Sequence, residues 1–324
     1  MQKTIKHCAL LVVIFFQSIF CWAVEQERYA IVFDVGNVLL HEPNHFTVFC
    51  KAVKKAGGWM RNMFHLNYSL EQKFYDVLNN VGQQFSMPVP VYTKKGPAPH
   101  AISVRMAGLI NGDEIIDEAG AVIEKWLNED SCNPDNDKHF SSEQQAELVY
   151  SLIKVTMESQ SFINFVKPYS EGLKLLQRCA SEKYENGVHR HELFIFSNFD
   201  TQSWDILLRD HAQFKQGIAA AVPGACEMCS VGDSCGSHRL VSGMFQSEYH
   251  VKPNRAFFQV LLHQCALHGI IPEHVIFLDD IEENVIVARS LGITAYHVID
   301  KKSFKTIARD LEQKGILTEL SLKN

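Results

Sequence analysis

Four places along the chain carry side chains suited to moving a phosphoryl group. Asp34 follows the apolar run Tyr29-Ala30-Ile31-Val32-Phe33, Ser197 and Asn198 follow Leu193-Phe194-Ile195-Phe196, Lys252 precedes Pro253, and Asp279 and Asp280 follow Val275-Ile276-Phe277-Leu278. Each apolar run is too short for a typical helix and reads as a buried strand, so three of the four places are strand tips. In an open parallel sheet, ligands bind beyond the carboxyl ends of the strands. Carboxylates gathered there repel one another unless a cation sits among them, and a set of hard oxygen ligands favours Mg²⁺. With Lys252 and the cation neutralising a phosphate dianion, Asp34 can attack phosphorus and form an aspartyl-phosphate. Ser197 and the backbone amides after it would hold the phosphoryl oxygens, with Asn198 and Asn37 as further substrate-binding candidates. Singly, each group has a plain structural reading: a turn cap for Asp34, a helix cap for Ser197-Asn198, a solvated helix-start lysine for Lys252. Their order and spacing join them.

The elements that must position these groups follow from periodicity. After Lys167-Pro168, helical spacing over Glu171–Cys179 leads to a strand over His191–Asn198, a helix over Thr201–Asp210 and a candidate strand at Ile218–Val222. A long amphipathic helix over Pro253–His268, the strand ending in Asp279, a helix through Ala288 to Leu291 and a last strand over Thr294–Ile299 complete the pattern. Strands alternating with helices predict an α/β fold with a doubly wound parallel sheet, built from residues 24–41 and 166–324. Between its first strand and the rest, residues 42–165 show helical spacing at Phe46, Phe49, Val53, at Phe74, Val77, Leu78 and at Ile115, Ile116, Ala119, Val122, Ile123, Trp126. Met87-Pro88-Val89-Pro90 and Gly96-Pro97-Ala98-Pro99 interrupt it, and Asn128–Phe140 reads as a polar loop. A mostly helical inserted module is expected there.

The stretches FDVGNVLL, FIFSNFD, VKPNRAFF and FLDDIEENVIVARSLG, in this order, resemble the four motifs of the haloacid dehalogenase-like hydrolase superfamily, whose members are mostly Mg²⁺-dependent phosphatases. The D-x-G-N-V opening is similar to that of the sugar-1-phosphate phosphatase type. The resemblance implies Asp34 as nucleophile, Ser197 as phosphate-binding residue, Lys252 as charge stabiliser, and Asp280 and Asp279 as metal ligands with Asp34 and the Gly36 carbonyl. It also implies Asn284 as an ordering residue and the helical insert as a cap over a small phosphorylated metabolite. Most phosphatases of this superfamily carry a second Asp two places after the nucleophile as proton donor, and here that place is Gly36. His41, Glu42 or His45 are the nearby substitutes. A chain with no substitute would be a slow enzyme or a catalytically idle binding protein.

Outside the motifs, Lys3 and Lys6, the apolar run Ala9–Phe20 and Cys21-Trp22-Ala23 have the layout of a secretory signal peptide over residues 1–23, which predicts export to a periplasm or out of the cell and no stable membrane anchor after cleavage. The full chain of 324 residues carries 31 basic and 37 acidic side chains, a net charge of −6. Losing Lys3 and Lys6 makes it more acidic still, so nothing marks it for nucleic acid or anionic lipid. Hydrophobic residues make up 46% of the sequence, enough for a sizeable core. An insert over residues 223–247 carries Cys226, Cys229, Cys235 and His238, four ligands whose spacing suits Zn²⁺ and whose exported setting equally suits a disulfide. A zinc-stabilised interaction protein is the corresponding alternative function.

Overall fold

The side chains of Tyr29–Phe33 alternate between two apolar layers, Ile31 and Phe33 entering one and Ala30 and Val32 the other. A strand covered on both faces has no solvent side, which is why this run is almost wholly apolar. The computed structural model describes residues 27–41, 67–86, 90–94, 96–107, 109–132, 139–164, 166–198, 201–221, 240–242 and 251–319. The elements are, in chain order, β1 (Tyr29–Phe33), β2 (Leu40–His41), α1 (Asn67–Asn80), β3 (Tyr92–Thr93), β4 (Gly96–Pro97), α2 (His100–Met106), α3 (Gly112–Cys132), α4 (Glu143–Met157), α5 (Ser159–Ile163) and β5 (Lys167–Pro168). There follow α6 (Ser170–Ser181), β6 (His191–Ser197), α7 (Thr201–Asp210), α8 (Ala212–Ala221), β7 (Leu240–Ser242), α9 (Arg255–Leu267), β8 (Val275–Asp279), α10 (Glu282–Ser290), β9 (Thr294–His297) and α11 (Lys301–Gln313).

Five strands form one parallel sheet in the order β7-β6-β1-β8-β9. The alternation of β1 is repeated in β6 and β8. Leu193, Ile195, Ile276 and Leu278 face the layer containing Leu176 of α6, Leu207 of α7, Ile218 of α8 and Phe304 of α11. Phe194, Phe196, Val275 and Phe277 face Phe257 and Leu261 of α9 and Val285 of α10. Helices therefore cover both faces, as the alternating pattern predicts for a doubly wound α/β sheet. The chain runs from β1 outward to β6 and β7 and then crosses to β8 and β9 on the other side, which makes the carboxyl edge between β1 and β8 a switch point.

The turn after β1 is shaped by two close constraints. Asn37 takes a left-handed backbone with φ 47°, which asparagine tolerates better than most residues. On α6, a side-chain carbon at Gly172 would lie 1.8 Å from the Val38 carbonyl oxygen, so only glycine lets the helix approach this turn. Antiparallel pairing of β2 with β5 brings the two ends of the long intervening stretch together. Within that stretch α1 to α4 bury an apolar cluster of their own around Val77, Val104, Ile115, Ala119, Val149 and Ile153.

Two expectations are corrected. Ile218–Val222 is not a strand: Phe214, Ile218 and Ala221 lie on one helical stripe and are buried in α8. The strand beyond β6 is instead Leu240–Ser242, whose three residues carry no periodicity of their own. Residues 128–132 belong to α3 rather than to a loop, and Asp130 near its end accepts from the backbone of His139 and Phe140 at 2.8 and 2.9 Å, drawing the returning chain back. The signal-peptide segment, Glu42, His45 and the cluster Cys226, Cys229, Cys235 and His238 lie outside the described residues.

Candidate active site

The tip of β1 is tied to β8 by the backbone, the Asp34 N–H donating to the Leu278 carbonyl at 2.9 Å. That bond sets Asp34 beside Asp279, the last residue of β8, and Asp280 follows it. Oxygens of the three carboxylates lie within 4.8 Å of one another, all three residues buried. Like charges this close, taken out of water, oppose ionisation. Burial accordingly pushes the Asp279 carboxyl up to about 7, with Asp34 and Asp280 acting in the same direction and Lys252 against it.

Lys252 is the principal compensating charge. Its ammonium, itself buried, donates to Asp34 Oδ1 at 2.7 Å and to Asp279 Oδ2 at 2.6 Å. Desolvation works against the charged amine, but the two carboxylates outweigh it and the net shift is upward. The rings of Phe196 and Phe277 stand 5.6 and 5.4 Å from the nitrogen and add a cation–π attraction. The lysine is held at its backbone by Asn198, whose Oδ1 accepts from the Lys252 N–H at 2.8 Å and whose Nδ2 donates to the Lys252 carbonyl at 3.0 Å. Just beyond, Asn254 caps α9 by accepting from the Ala256 N–H at 2.9 Å, which starts the helix at Arg255 rather than Pro253.

The remaining carboxylate oxygens are held differently. Asp279 Oδ1 accepts from the Ile281 N–H at 2.8 Å and from Asn284 Nδ2 at 2.9 Å, so every lone pair used by Asp279 is anchored from its own strand-to-helix turn or by Lys252. Asp280 Oδ2 accepts from Asn37 Nδ2 at 3.0 Å and is paired with Lys94 at 3.2 Å. The second oxygen of Asp34 has no hydrogen-bond partner among the described residues, nor does the buried Ser197 hydroxyl at the end of β6, the neighbour strand of β1. Gly36 lies in the turn after Asp34, bridged to Leu40.

The sequence thus locates Asp34, Ser197, Lys252, Asp279 and Asp280 at one sheet edge, and the structure brings Asp34, Lys252, Asp279 and Asp280 into direct contact or close range. The amide of Asn37 donates to Asp280, and that of Asn198 holds the Lys252 backbone. His41 stacks on Tyr169 with ring centres 3.9 Å apart. Burial holds its imidazole below the usual value, Lys301 and Lys94 reinforcing this and Glu171 opposing it, and no described hydrogen bond or ion pair joins it to the carboxylates. Lys94 is the group that sequence reasoning missed. Its only signal is a short alternating run, Val91-Tyr92-Thr93, broken by Lys-Lys-Gly-Pro as a hairpin would be.

The donor set is all carboxylate oxygen, buried and without a soft ligand, which fits a hard divalent cation such as Mg²⁺. No family model matches the chain, and no curated protein matches it. Among solved structures it is similar to a HAD family enzyme, bt-2542 from Bacteroides thetaiotaomicron, at 16% identity over 83% of this chain and 93% of that one, with a TM-score of 0.43. The same enzyme in complex with magnesium and inorganic phosphate is matched at 16% identity over 84% and 94% of the two chains, TM-score 0.39. L-2-haloacid dehalogenase from Xanthobacter autotrophicus is matched at 13% identity over 90% and 85%, TM-score 0.39.

Proposed function

We propose that this chain is a haloacid dehalogenase-like hydrolase that removes phosphate from a small phosphomonoester, with Mg²⁺ as cofactor and Asp34 as nucleophile. The observation that carries the reading is the asymmetry of Asp34: one oxygen is held by buried Lys252 at 2.7 Å, the other has no hydrogen-bond partner among the described residues, and the carboxylates of Asp279 and Asp280 lie close by. Asp34 attacks phosphorus with that second oxygen, the P–O bond to the leaving group breaks, and an aspartyl-phosphate forms. Lys252 orients the nucleophile and offsets the charge of the incoming phosphate. Ser197, at the tip of the neighbouring strand, donates its free hydroxyl to a phosphoryl oxygen. Water then releases the phosphate and restores Asp34. Asp34, Asp280, Asp279 and the Gly36 carbonyl would hold Mg²⁺, which would supply charge neutralisation for the transferring group.

In this reading residues 42–165 act as a cap that closes the site against water, and residues 24–41 with 166–324 form the catalytic core. The D-x-G-N-V opening supports a sugar-phosphatase-type reading, and the segment 1–23 would direct the chain out of the cytoplasm. Purified protein should release phosphate from an aryl phosphate with Mg²⁺ and lose that activity with a chelator. No Mg²⁺-dependent release from a broad phosphate panel would sink the proposal. A second reading, a binding protein without turnover, is favoured by Gly36, where a proton donor worth ~10²–10⁴-fold would otherwise stand. Tight Mg²⁺-dependent binding of a phosphate analogue without release would select it.

A further inference from the structure

One cation at the site comes from outside the sheet. Lys94 lies between β3 and β4, in the stretch that β2 and β5 bracket, and its ammonium reaches Asp280 Oδ2 at 3.2 Å. The side chain of Lys94 is 50% exposed while that of Asp280 is 4% exposed, so the ammonium descends from the surface onto a buried carboxylate. The hairpin that presents it is braced at several points. Thr93 Oγ1 donates to the Gly96 carbonyl at 3.0 Å, the Ala98 N–H to the Val91 carbonyl at 2.8 Å, and the Val91 N–H to Ser103 Oγ at 3.1 Å. Val91 and Ala98 also share an apolar cluster with Val251, the residue before Lys252. The hairpin therefore touches the catalytic edge twice, through a charge on Asp280 and through apolar packing beside Lys252.

An ammonium and a divalent cation compete for the same carboxylate. Among the described residues, Lys252 and Lys94 each bring an ammonium to these close carboxylates. Lys252 is locked between Asp34 and Asp279 inside the sheet edge, whereas Lys94 is half in solvent. We infer that Lys94 is an exchange cation: it neutralises Asp280 while the site is empty, and it turns to a phosphate oxygen of the substrate when a divalent cation takes Asp280. The inference rests on the hydrolase reading above and adds to it a residue of the insertion that recognises the phosphate dianion itself.

The test is a pair of binding measurements by calorimetry on the full chain and on Lys94→Met and Lys94→Arg, with Mg²⁺ alone and with inorganic phosphate at saturating Mg²⁺. Exchange predicts opposite signs for Lys94→Met: Mg²⁺ binds about twofold to fivefold tighter, as expected for losing a partly exposed competing pair, and phosphate binds about tenfold weaker. Lys94→Arg should keep phosphate affinity within about threefold of the wild type, since the charge is retained. Both affinities falling together, or neither changing, would overturn the inference and leave the hydrolase reading standing. A wild-type chain that binds neither ligand would overturn both. The opposite shifts in a protein that releases no phosphate would support the exchange and count against hydrolysis.

Discussion

At the scale of single residues, the site is a charge balance in which each partner is expensive to remove alone. Lys252 is buried and bonded to two carboxylates, so Lys252→Met leaves those acids uncompensated. Breaking such a buried pair from one side typically costs about 3–5 kcal/mol. Urea denaturation should show a loss of that size without metal and a partial recovery with Mg²⁺; a variant as stable as the wild type would contradict the balance described. Asp34→Asn changes little in shape but removes the oxygen proposed as nucleophile. It should lower phosphate release at least ~10³-fold in a protein that still melts cooperatively, read from steady-state kinetics beside a thermal melt. Asp34, Ser197, Asp279 and Asp280 were legible because they stand at the ends of apolar runs, and Lys252 because it precedes Pro253 at a helix start. What each amide does was not, since Asn198 binds a backbone more than fifty residues away in the chain, and no local pattern records that.

At the scale of elements, β6 and the turn after β1 decide where the catalytic groups sit. His191 opens β6 and its Nε2 donates to the Ile316 carbonyl at 2.9 Å, while its Nδ1 is buried with no partner among the described residues. Burial pulls the imidazole down to about 4, so the folded protein keeps it neutral where the unfolded chain, near 6.5, takes up a proton. Its contribution is present above pH about 6.5 and is lost as pH falls through about 4, worth up to about 3 kcal/mol. His191→Gln should flatten the stability–pH curve over that window in urea titrations, and an unchanged slope would refute the assignment. Gly172→Ala places a carbon 1.8 Å from the Val38 carbonyl oxygen, so α6 or the Asp34 turn must move. A loss of about 1–3 kcal/mol together with a fall in phosphate release is expected, measured by denaturation and by kinetics on the same preparation. Strands buried on both faces were plain in the sequence. The hairpin bearing Lys94 was not, because two strands of two residues each carry too little periodicity to stand out.

At the scale of the whole molecule, a parallel sheet with β1 at its centre gathers groups from residue 34 to residue 280 at one edge, and the insertion supplies one more charge from above. The alternation of strands and helices after residue 166 was enough to predict that sheet; the edge strand β7 was misplaced because Phe214, Ile218 and Ala221 fit a short apolar run as well as a helix stripe. A cation bound at the three carboxylates should stabilise the folded chain by mass action, by about 2.7 kcal/mol at a hundredfold excess over the dissociation constant. The melting temperature should therefore rise with Mg²⁺ and fall back with chelator, and Asp280→Asn should abolish the rise. The central claim, that phosphate passes through Asp34, is tested most directly by acid-quenching the protein during turnover of an aryl phosphate and mapping the phosphoryl group by peptide mass spectrometry. The account predicts a phosphoryl group on Asp34, formed only with Mg²⁺ and lost in Asp34→Asn. Phosphate released with no label on Asp34, or with the label on another residue, would contradict it.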